Sequence, residues 1–218
     1  MINFFNWFTK ITAWFIQKLC FRTKVYYEKK SSQGRSIKGP AIIISNHTSV
    51  YDYAVFLFVF FGRTLRYQMA EVLFKKPLLR IFLKCMGGVF VDRESNDFSF
   101  LEKSQGILEK RGVVGIFPEG RIPENNEEKP LAFKPGATQL ALMTSVPIIP
   151  IYTNGSYFKK KRTRVIIGKP IYVSELYDNQ EDYKKNLERI TEELRSRIIK
   201  LGSMLEEKVD YERKKKRQ

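Results

Sequence analysis

Histidine and cysteine are scarce in this sequence. Its 218 residues include one histidine, His47, and two cysteines, Cys20 and Cys85. The cysteines are far apart and show no metal-ligand spacing, so these residues cannot form the closed ligand set of a zinc site. We therefore expect no metal site. Two isolated cysteines in apolar surroundings also suit a reducing compartment.

Long apolar runs are absent as well. The longest charge-free apolar stretch, residues 53–62, is about half of the ~20 residues that a membrane-spanning helix needs. The first residues lack both the basic start and the small-residue cleavage site of a secretory signal peptide. The sequence thus predicts neither a spanning helix nor a signal peptide.

Acidic residues are few relative to basic ones: 23 Asp and Glu stand against 39 Lys and Arg, for a formal net charge of +16. Such a surplus favours an anionic partner: a nucleic acid, an anionic membrane or a phosphorylated substrate. No helix-turn-helix, zinc-finger or RNA-binding aromatic pattern is visible, so we expect no nucleic acid. Apolar residues make up 43% of the chain and aromatic residues 14%, which excludes a disordered protein.

Residues 1–24 predict a membrane-associating amphipathic segment. Asn3, Asn6, Lys10 and Gln17 fall on one helical stripe, and aromatic or aliphatic side chains cover most of the remainder. One helix or a short helical pair of this kind suits the interface of an anionic membrane. The alternative is an ordinary amphipathic helix packed on a protein core. Two tryptophans and five phenylalanines in the first 21 residues favour the membrane.

Short apolar runs alternate with helical patterns over residues 25–209, which favours one α/β domain. We expect a mostly parallel mixed sheet covered by helices on both faces, followed by a solvated basic tail over 210–218 with a secondary attraction to anionic lipid. Residues 25–40 read as an extended segment and a turn. The expected strands are 41–45, 67–70, 89–91, 113–117, 146–152 and, at an edge of the sheet, 163–168; the expected helices are 50–61, 77–86, 98–111, 137–144 and 181–209.

His47 directly follows the apolar run 41–45, at the strand end where open α/β sheets place their sites. Asp52 is five residues further on, so a helical turn would bring its carboxylate to the imidazole. A carboxylate on one ring nitrogen fixes the tautomer and leaves the other nitrogen as a base near neutral pH. The alternative is a lone histidine that caps a helix or packs in a core. Ser49 is poorly placed as a nucleophile, because the Gly-x-Ser-x-Gly elbow is missing.

Two further clusters follow expected strands. Arg93 ends Gly-Gly-Val-Phe-Val-Asp-Arg at 87–93 and offers a bidentate fork for phosphate, although such an arginine often forms only a surface ion pair. Glu119, Gly120 and Arg121 belong to Phe-Pro-Glu-Gly-Arg, where the glycine lets a ligand approach the main chain. Lys134 precedes an expected helix start, which favours an anion.

In order, these clusters resemble the four sequence blocks of the glycerolipid acyltransferase family. The blocks are Asn-His-x4-Asp at 46–52, Gly-x-Val-Phe-Val-Asp-Arg at 87–93, Phe-Pro-Glu-Gly-Arg at 117–121 and Val-Pro-Ile-Ile-Pro-Ile at 146–151. The resemblance covers about residues 40–152. Each block alone is permissive, but the ordered set is specific. The best-known members of the family are the 1-acyl-glycerol-3-phosphate acyltransferases.

The resemblance implies that His47 is the general base and Asp52 its orienting partner. It implies transfer of an acyl group from a thioester, acyl-coenzyme A or acyl-carrier protein, to the free hydroxyl of a lysophospholipid, without a further cofactor. The first acceptor implied is 1-acyl-glycerol 3-phosphate, giving phosphatidic acid; glycerol 3-phosphate or another lysophospholipid is the alternative. The protein would lie peripherally or monotopically on the cytoplasmic face of an anionic membrane. A non-enzymatic membrane-surface or nucleic-acid-binding protein would leave the histidine–aspartate pair idle.

The resemblance also implies roles for the basic clusters. Arg93, Glu119, Gly120 and Arg121 correspond to the family's acceptor-binding positions, with the basic ones holding the phosphate. Lys134 falls where the family has a lysine–glycine pair, and the fourth block helps to shape the acyl-donor side. The sequence departs from the family in the third block, where a residue usually separates the glycine from the arginine.

Overall fold

A seven-stranded sheet lies at the centre of the computed structural model, which describes residues 1–92, 98–158 and 162–216. The strands run in the spatial order β1-β7-β6-β2-β5-β3-β4, and every neighbouring pair is parallel except β6 and β7. Their bounds are β1 Lys24–Tyr27, β2 Ala41–Ser45, β3 Leu65–Ala70, β4 Val89–Val91, β5 Val113–Ile116, β6 Ile148–Thr153 and β7 Arg164–Ile167.

Seven helices cover this sheet in the part of the chain that the structure describes. They are α1 Ile2–Thr12, α2 Trp14–Phe21, α3 Asp52–Val59, α4 Pro77–Met86, α5 Ser99–Glu109, α6 Gly136–Thr144 and α7 Tyr183–Lys215, with 3-10 turns at Glu71–Phe74 and Val173–Glu175.

Strand β2 shows why both faces are covered. All five of its residues are buried; Ile43 joins one apolar core, and Ile42 and Ile44 join the other. Successive side chains of a strand point to opposite faces, so a strand that is buried along its whole length requires a layer on each side. Helices α1 to α4 contribute to the core around Ile43, and α5 to α7 contribute to the core around Ile42 and Ile44.

The predicted α/β class and the mostly parallel mixed sheet between helices are confirmed. The edge position expected for strand 163–168 is wrong. The first residues of the expected extended segment form β1, which pairs with β7 in parallel, Lys24 opposite Arg164, so β1 is the edge strand. The predicted end of the last helix, at residue 209, is also wrong: α7 continues to Lys215 and includes the first basic residues of the tail.

The first 21 residues form two helices that meet at Ala13. Of their polar stripe, Asn6 and Lys10 face the protein, Gln17 is half-buried and Asn3 is exposed. Asn6 and Lys10 are only 1% and 2% exposed. The Lys10 ammonium donates to the carbonyl oxygens of Phe60, Phe61 and Arg63, just beyond the end of α3, at 3.4, 3.0 and 2.6 Å. Carbonyls near a helix end lack intrahelical donors and favour a cation, so Lys10 satisfies them.

Asn6 binds the end of the neighbouring helix in the same way. Its side-chain amide donates to the Met86 carbonyl oxygen, at the last residue of α4, over 2.9 Å. The apolar side of the pair is exposed, the reverse of a helix that packs on a soluble core. The exposed apolar side chains of α1 and α2 are Phe4, Trp7, Phe8, Ile11, Trp14, Phe15, Ile16 and Leu19. No helix among the described residues is long and apolar enough to cross a bilayer.

Replacing Lys10 by methionine should loosen the docking of α1. The substitution keeps the aliphatic stem but leaves three carbonyl oxygens without their charged donor, at a cost of about 1–3 kcal/mol. Hydrogen exchange of the α1 amides should therefore be faster than in the parent. Lys18→Met is the matched control, because Lys18 is exposed and its loss should change stability by less than about 0.5 kcal/mol. Equal exchange in both variants would refute the docking role of Lys10.

Candidate active site

The site lies where three neighbouring strands end at one edge of the sheet. Strand β2 has β5 on one side and β6 on the other, all three parallel. The His47 turn therefore lies between the segment that follows β5 and the segment that follows β6. This is the edge at which open α/β sheets bind ligands.

His47 and Asp52 form the pair that their spacing predicts. The imidazole Nδ1 is 2.8 Å from Asp52 Oδ2. Asp52 is the first residue of α3 and is fully buried, whereas the His47 side chain is 17% exposed. An ionised carboxylate only accepts hydrogen bonds, so Nδ1 carries the proton and Nε2 has its lone pair available.

Asp52 also holds the turn that carries the histidine. Its carboxylate accepts the main-chain N–H groups of Thr48 at 2.7 Å and Ser49 at 2.9 Å, and the Thr48 hydroxyl at 2.8 Å. The Ser49 hydroxyl accepts the Tyr51 N–H at 3.3 Å. The Ser49 hydroxyl therefore contacts the main chain of its own turn.

Tyr157 is a member of the site that the sequence analysis missed. Its buried hydroxyl donates to Asp52 Oδ1 and lies 3.2 Å from the Thr153 hydroxyl. Burial and the Asp52 charge both raise the pKa of Tyr157, so the phenol stays a neutral donor. The available signal was its place in a polar segment just after a buried strand, the same signal that identified His47.

Gly155 allows this segment to lie against the histidine turn. Its φ is +62°, and a Cβ there would come within 2.7 Å of the Thr48 hydroxyl oxygen. Only glycine adopts such a left-handed conformation without strain and also leaves the space empty. The segment after β6 is therefore in direct contact with the turn that carries His47.

Phe117, from the third block, forms the aromatic wall of the site. Its ring stacks on the His47 imidazole with centroids 4.0 Å apart and planes 11° apart. Tyr67 packs behind it at a centroid distance of 5.0 Å. The imidazole is thus held on one ring face by Phe117 and at Nδ1 by Asp52.

Glu119 holds the third block against the histidine. It is buried, and its two carboxylate oxygens accept the main-chain N–H groups of His47 at 2.6 Å and Leu131 at 2.8 Å. Burial raises the pKa of Glu119, and these two hydrogen bonds act in the opposite direction. The contacts are those of a residue that positions the histidine turn.

Lys134 and Gly120 lie together beside Glu119. Gly120 has a φ of +72°, and a Cβ there would be 3.1 Å from Lys134 Cε. The Lys134 main-chain N–H donates to the Pro118 carbonyl oxygen at 2.8 Å, which brings the segment before α6 to the third block. An exposed cation is thereby brought beside the third block.

Of the two arginines predicted to bind phosphate, the structure describes only Arg121. The exposed guanidinium of Arg121 forms a two-pronged ion pair with Glu127 of the same loop, with Nη1 2.6 Å from Oε2. This pairing lowers the pKa of Glu127 to about 2. A substrate phosphate would compete with Glu127 for Arg121. Arg93 lies outside the described residues.

Comparison with known proteins gives one consistent family. The family model described as Acyltransferase matches residues 22–154. The chain is 30% identical over 148 residues to the 1-acyl-sn-glycerol-3-phosphate acyltransferase of Bacillus subtilis, covering 66% of this chain and 71% of that protein. It is 29% identical over 159 residues to the human 1-acyl-sn-glycerol-3-phosphate acyltransferase beta, covering 69% of this chain and 56% of the human protein.

A solved structure shows the same fold. The crystal structure of the 1-acyl-sn-glycerophosphate (LPA) acyltransferase PlsC from Thermotoga maritima superimposes with a TM-score of 0.57 at 21% identity, over 89% of this chain and 79% of that one. The family model spans more than half of the chain and includes His47, Asp52, Glu119 and Lys134. This protein therefore belongs to the acyltransferase family.

Proposed function

We propose that the protein transfers a fatty acyl group from a thioester to the free hydroxyl of 1-acyl-glycerol 3-phosphate, giving phosphatidic acid. The observation that carries the proposal is the His47–Asp52 pair, with Nδ1 bound to a buried carboxylate and Nε2 left as a base. The relatives named as 1-acyl-sn-glycerol-3-phosphate acyltransferases support this choice of acceptor.

The reaction is a direct transfer between two substrates. His47 Nε2 takes the proton of the acceptor hydroxyl while the oxygen attacks the thioester carbonyl carbon. The tetrahedral intermediate collapses with cleavage of the carbon–sulfur bond, and the thiolate leaves and recovers the proton from the imidazolium. Asp52 keeps the ring oriented and stabilises its charged form. General base catalysis of this kind contributes about 10²–10⁴-fold.

Cations in and next to the third block would hold the acceptor's phosphate. Lys134 lies next to Gly120 in the third block, and Arg121 would serve after exchanging Glu127 for the phosphate. Arg93 is a third candidate for binding this phosphate, on the basis of the sequence alone. Positioning the hydroxyl against the thioester can contribute more to the rate than the base itself. Acyl-coenzyme A or acyl-carrier protein would supply the thioester.

The exposed apolar face supports peripheral or monotopic association with an anionic membrane. It comprises the outer sides of α1 and α2 and continues onto α4, whose Leu78, Ile81 and Phe82 are exposed. The Phe5 and Phe82 rings are in contact, with centroids 5.9 Å apart, which joins α1 to α4. Lysophospholipid acceptors reside in bilayers, and burying such side chains contributes about 1.5–3 kcal/mol each. We place this association on the cytoplasmic face, where soluble thioester donors are made.

The purified protein should acylate 1-acyl-glycerol 3-phosphate faster than glycerol 3-phosphate or lysophosphatidylcholine, with acyl-coenzyme A and acyl-carrier protein tested as donors. His47→Ala should lower kcat/KM by about 10²–10⁴-fold, because the chain has no other histidine to serve as the base. Release of the free thiol from the donor measures both the acceptor preference of the parent and the activity of His47→Ala.

Ser49→Ala is the matched control for this experiment. Its hydroxyl accepts only a main-chain N–H in the described structure, so turnover should stay within a few-fold of the parent. Loss of activity in Ser49→Ala together with retention in His47→Ala would overturn the mechanism. Faster acylation of glycerol 3-phosphate would overturn the acceptor.

Tyr157→Phe should lower kcat about tenfold with little change in either KM. One hydrogen bond to a charged group contributes about 1.5 kcal/mol, and here it positions the carboxylate that holds the base. Tyr53→Phe is the control, because the buried Tyr53 hydroxyl has no hydrogen-bond partner among the described residues. A kcat for Tyr157→Phe equal to that of Tyr53→Phe would show that the Tyr157 hydroxyl does not support catalysis.

The triple substitution of Phe4, Phe8 and Phe15 by serine should release the protein from vesicles. All three side chains are exposed on the helix pair, so the fold should persist. The control is the triple serine variant of Tyr172, Ile199 and Tyr211, which are exposed on the part of the chain packed against the opposite face of the sheet. Vesicle flotation compares the two. Equal flotation would place the membrane-binding surface elsewhere.

A further inference from the structure

A basic cavity of about 440 Å³ lies between α2, β1 and the end of α3. Four of its eleven lining residues are cationic, namely Lys18, Arg22, Arg35 and Arg162, and none is acidic. Trp14, Phe58 and Phe61 add apolar wall. A cavity with this lining suits a ligand that joins an anionic group to an apolar one.

Local contacts hold two of these cations, Arg35 and Lys18, in place. Arg35 Nε and Nη2 donate to the carbonyl oxygens of Val59 and Phe58, each over 2.7 Å. The Lys18 ammonium lies 4.7 Å from the centroid of the Trp14 ring. Arg22 ends α2 in a left-handed conformation with a φ of 46°, a position that favours glycine. An arginine in this conformation carries a conformational cost.

The charges of the cavity are not balanced by protein carboxylates. Within the described part of the chain, no Asp or Glu oxygen lies within 4 Å of the cationic groups of Lys18, Arg22 or Arg162. Lys24 of β1, by contrast, forms an ion pair with a protein carboxylate: its Nζ lies 2.6 Å from Glu212 Oε2. Several like charges around one space repel each other unless an anion enters it.

The cavity is separate from the catalytic pair and borders the exposed aromatic face. Phe58 and Val59 stand at the carboxyl end of α3, whereas Asp52 begins that helix, so about 10 Å of helix separates the two. Trp14 is exposed and belongs to the apolar side of α2. A headgroup in the cavity could therefore keep its acyl chains beside the apolar face of the helix pair.

We propose that this cavity binds the phosphate group of an anionic membrane lipid that is neither acceptor nor product. The proposal rests on the membrane association argued above. Lys18, Arg22 and Arg162 supply the charge, and Arg35 forms part of the wall. The bound headgroup fixes the helix pair relative to the leaflet, so the protein prefers anionic membranes through one defined site in addition to its overall charge.

The test compares two double variants with equal loss of charge. Arg22→Gln with Arg162→Gln removes two cavity cations, and Arg80→Gln with Lys84→Gln removes two exposed cations of α4. The probe is monomeric dihexanoylphosphatidylglycerol, measured by calorimetry, with inorganic phosphate as the second probe. We expect the parent and the α4 variant to bind the lipid alike. The cavity variant should bind about 25-fold more weakly, a factor of about five for each cation removed.

Each other outcome overturns the proposal. Equal weakening in both double variants would assign the binding to overall charge. Inorganic phosphate that binds the parent as tightly as the lipid would make the site one for soluble phosphate. Unchanged lipid binding in the cavity variant would place the headgroup elsewhere.

Turnover of a soluble short-chain lysophosphatidic acid tests the proposed function separately. The cavity variant should retain parental turnover of this acceptor, because neither substituted residue contacts the His47–Asp52 pair. Parental turnover combined with unchanged lipid binding would overturn the cavity assignment alone. Absence of turnover in the parent would overturn the proposed function, whatever the lipid binding.

Discussion

The buried carboxylate of Asp52 is the constraint on which the site depends. It accepts hydrogen bonds from the imidazole, from the main chain and side chain of the histidine turn, and from Tyr157 in the segment after β6. Glu119 binds the same turn from the segment after β5. A negative charge without solvent must be surrounded by donors. Satisfying that requirement brings three separate parts of the chain to the His47 imidazole.

The N-terminal helix pair also depends on buried polar groups that are satisfied by hydrogen bonds. Its buried polar side chains, Asn6 and Lys10, bind carbonyl oxygens at the ends of α4 and α3, and its aromatic side chains stay exposed. Water gives such an arrangement little stability, since the apolar surface remains solvated. An apolar environment outside the protein would favour both sides of the pair at once. The polar contacts therefore set which way the pair faces.

Local pattern was enough to predict much of the fold and the core of the site. The apolar run 41–45 indicated a strand buried on both faces, and the five-residue spacing brought His47 to Asp52. Both depend on contacts between residues near in sequence. Arg121 shows the limit, because its position in the third block implied phosphate binding, whereas its contact with Glu127 depends on the path of the loop.

Contacts between distant residues could not be predicted in the same way. Tyr157 reaches Asp52 across 105 positions, and the pairing of β1 with β7 joins residues about 140 apart. Neither leaves a periodic signal in the sequence, because tertiary packing decides which segments meet. The inward direction of Asn6 and Lys10 is a further case of this kind. The helical spacing predicts that these polar residues lie on one side of the helix, but it does not identify the surface that they contact.

Helix α3 makes an important contact at each of its two ends. Lys10 binds the carbonyl groups just beyond its last residue, and Asp52 is its first residue. The helix, about 10 Å long, thus connects the N-terminal helix pair to the carboxylate that orients the His47 imidazole. A rigid helix transmits a tilt of one end to the other. The position of the N-terminal helix pair and the orientation of the His47 imidazole are therefore linked through a single helix.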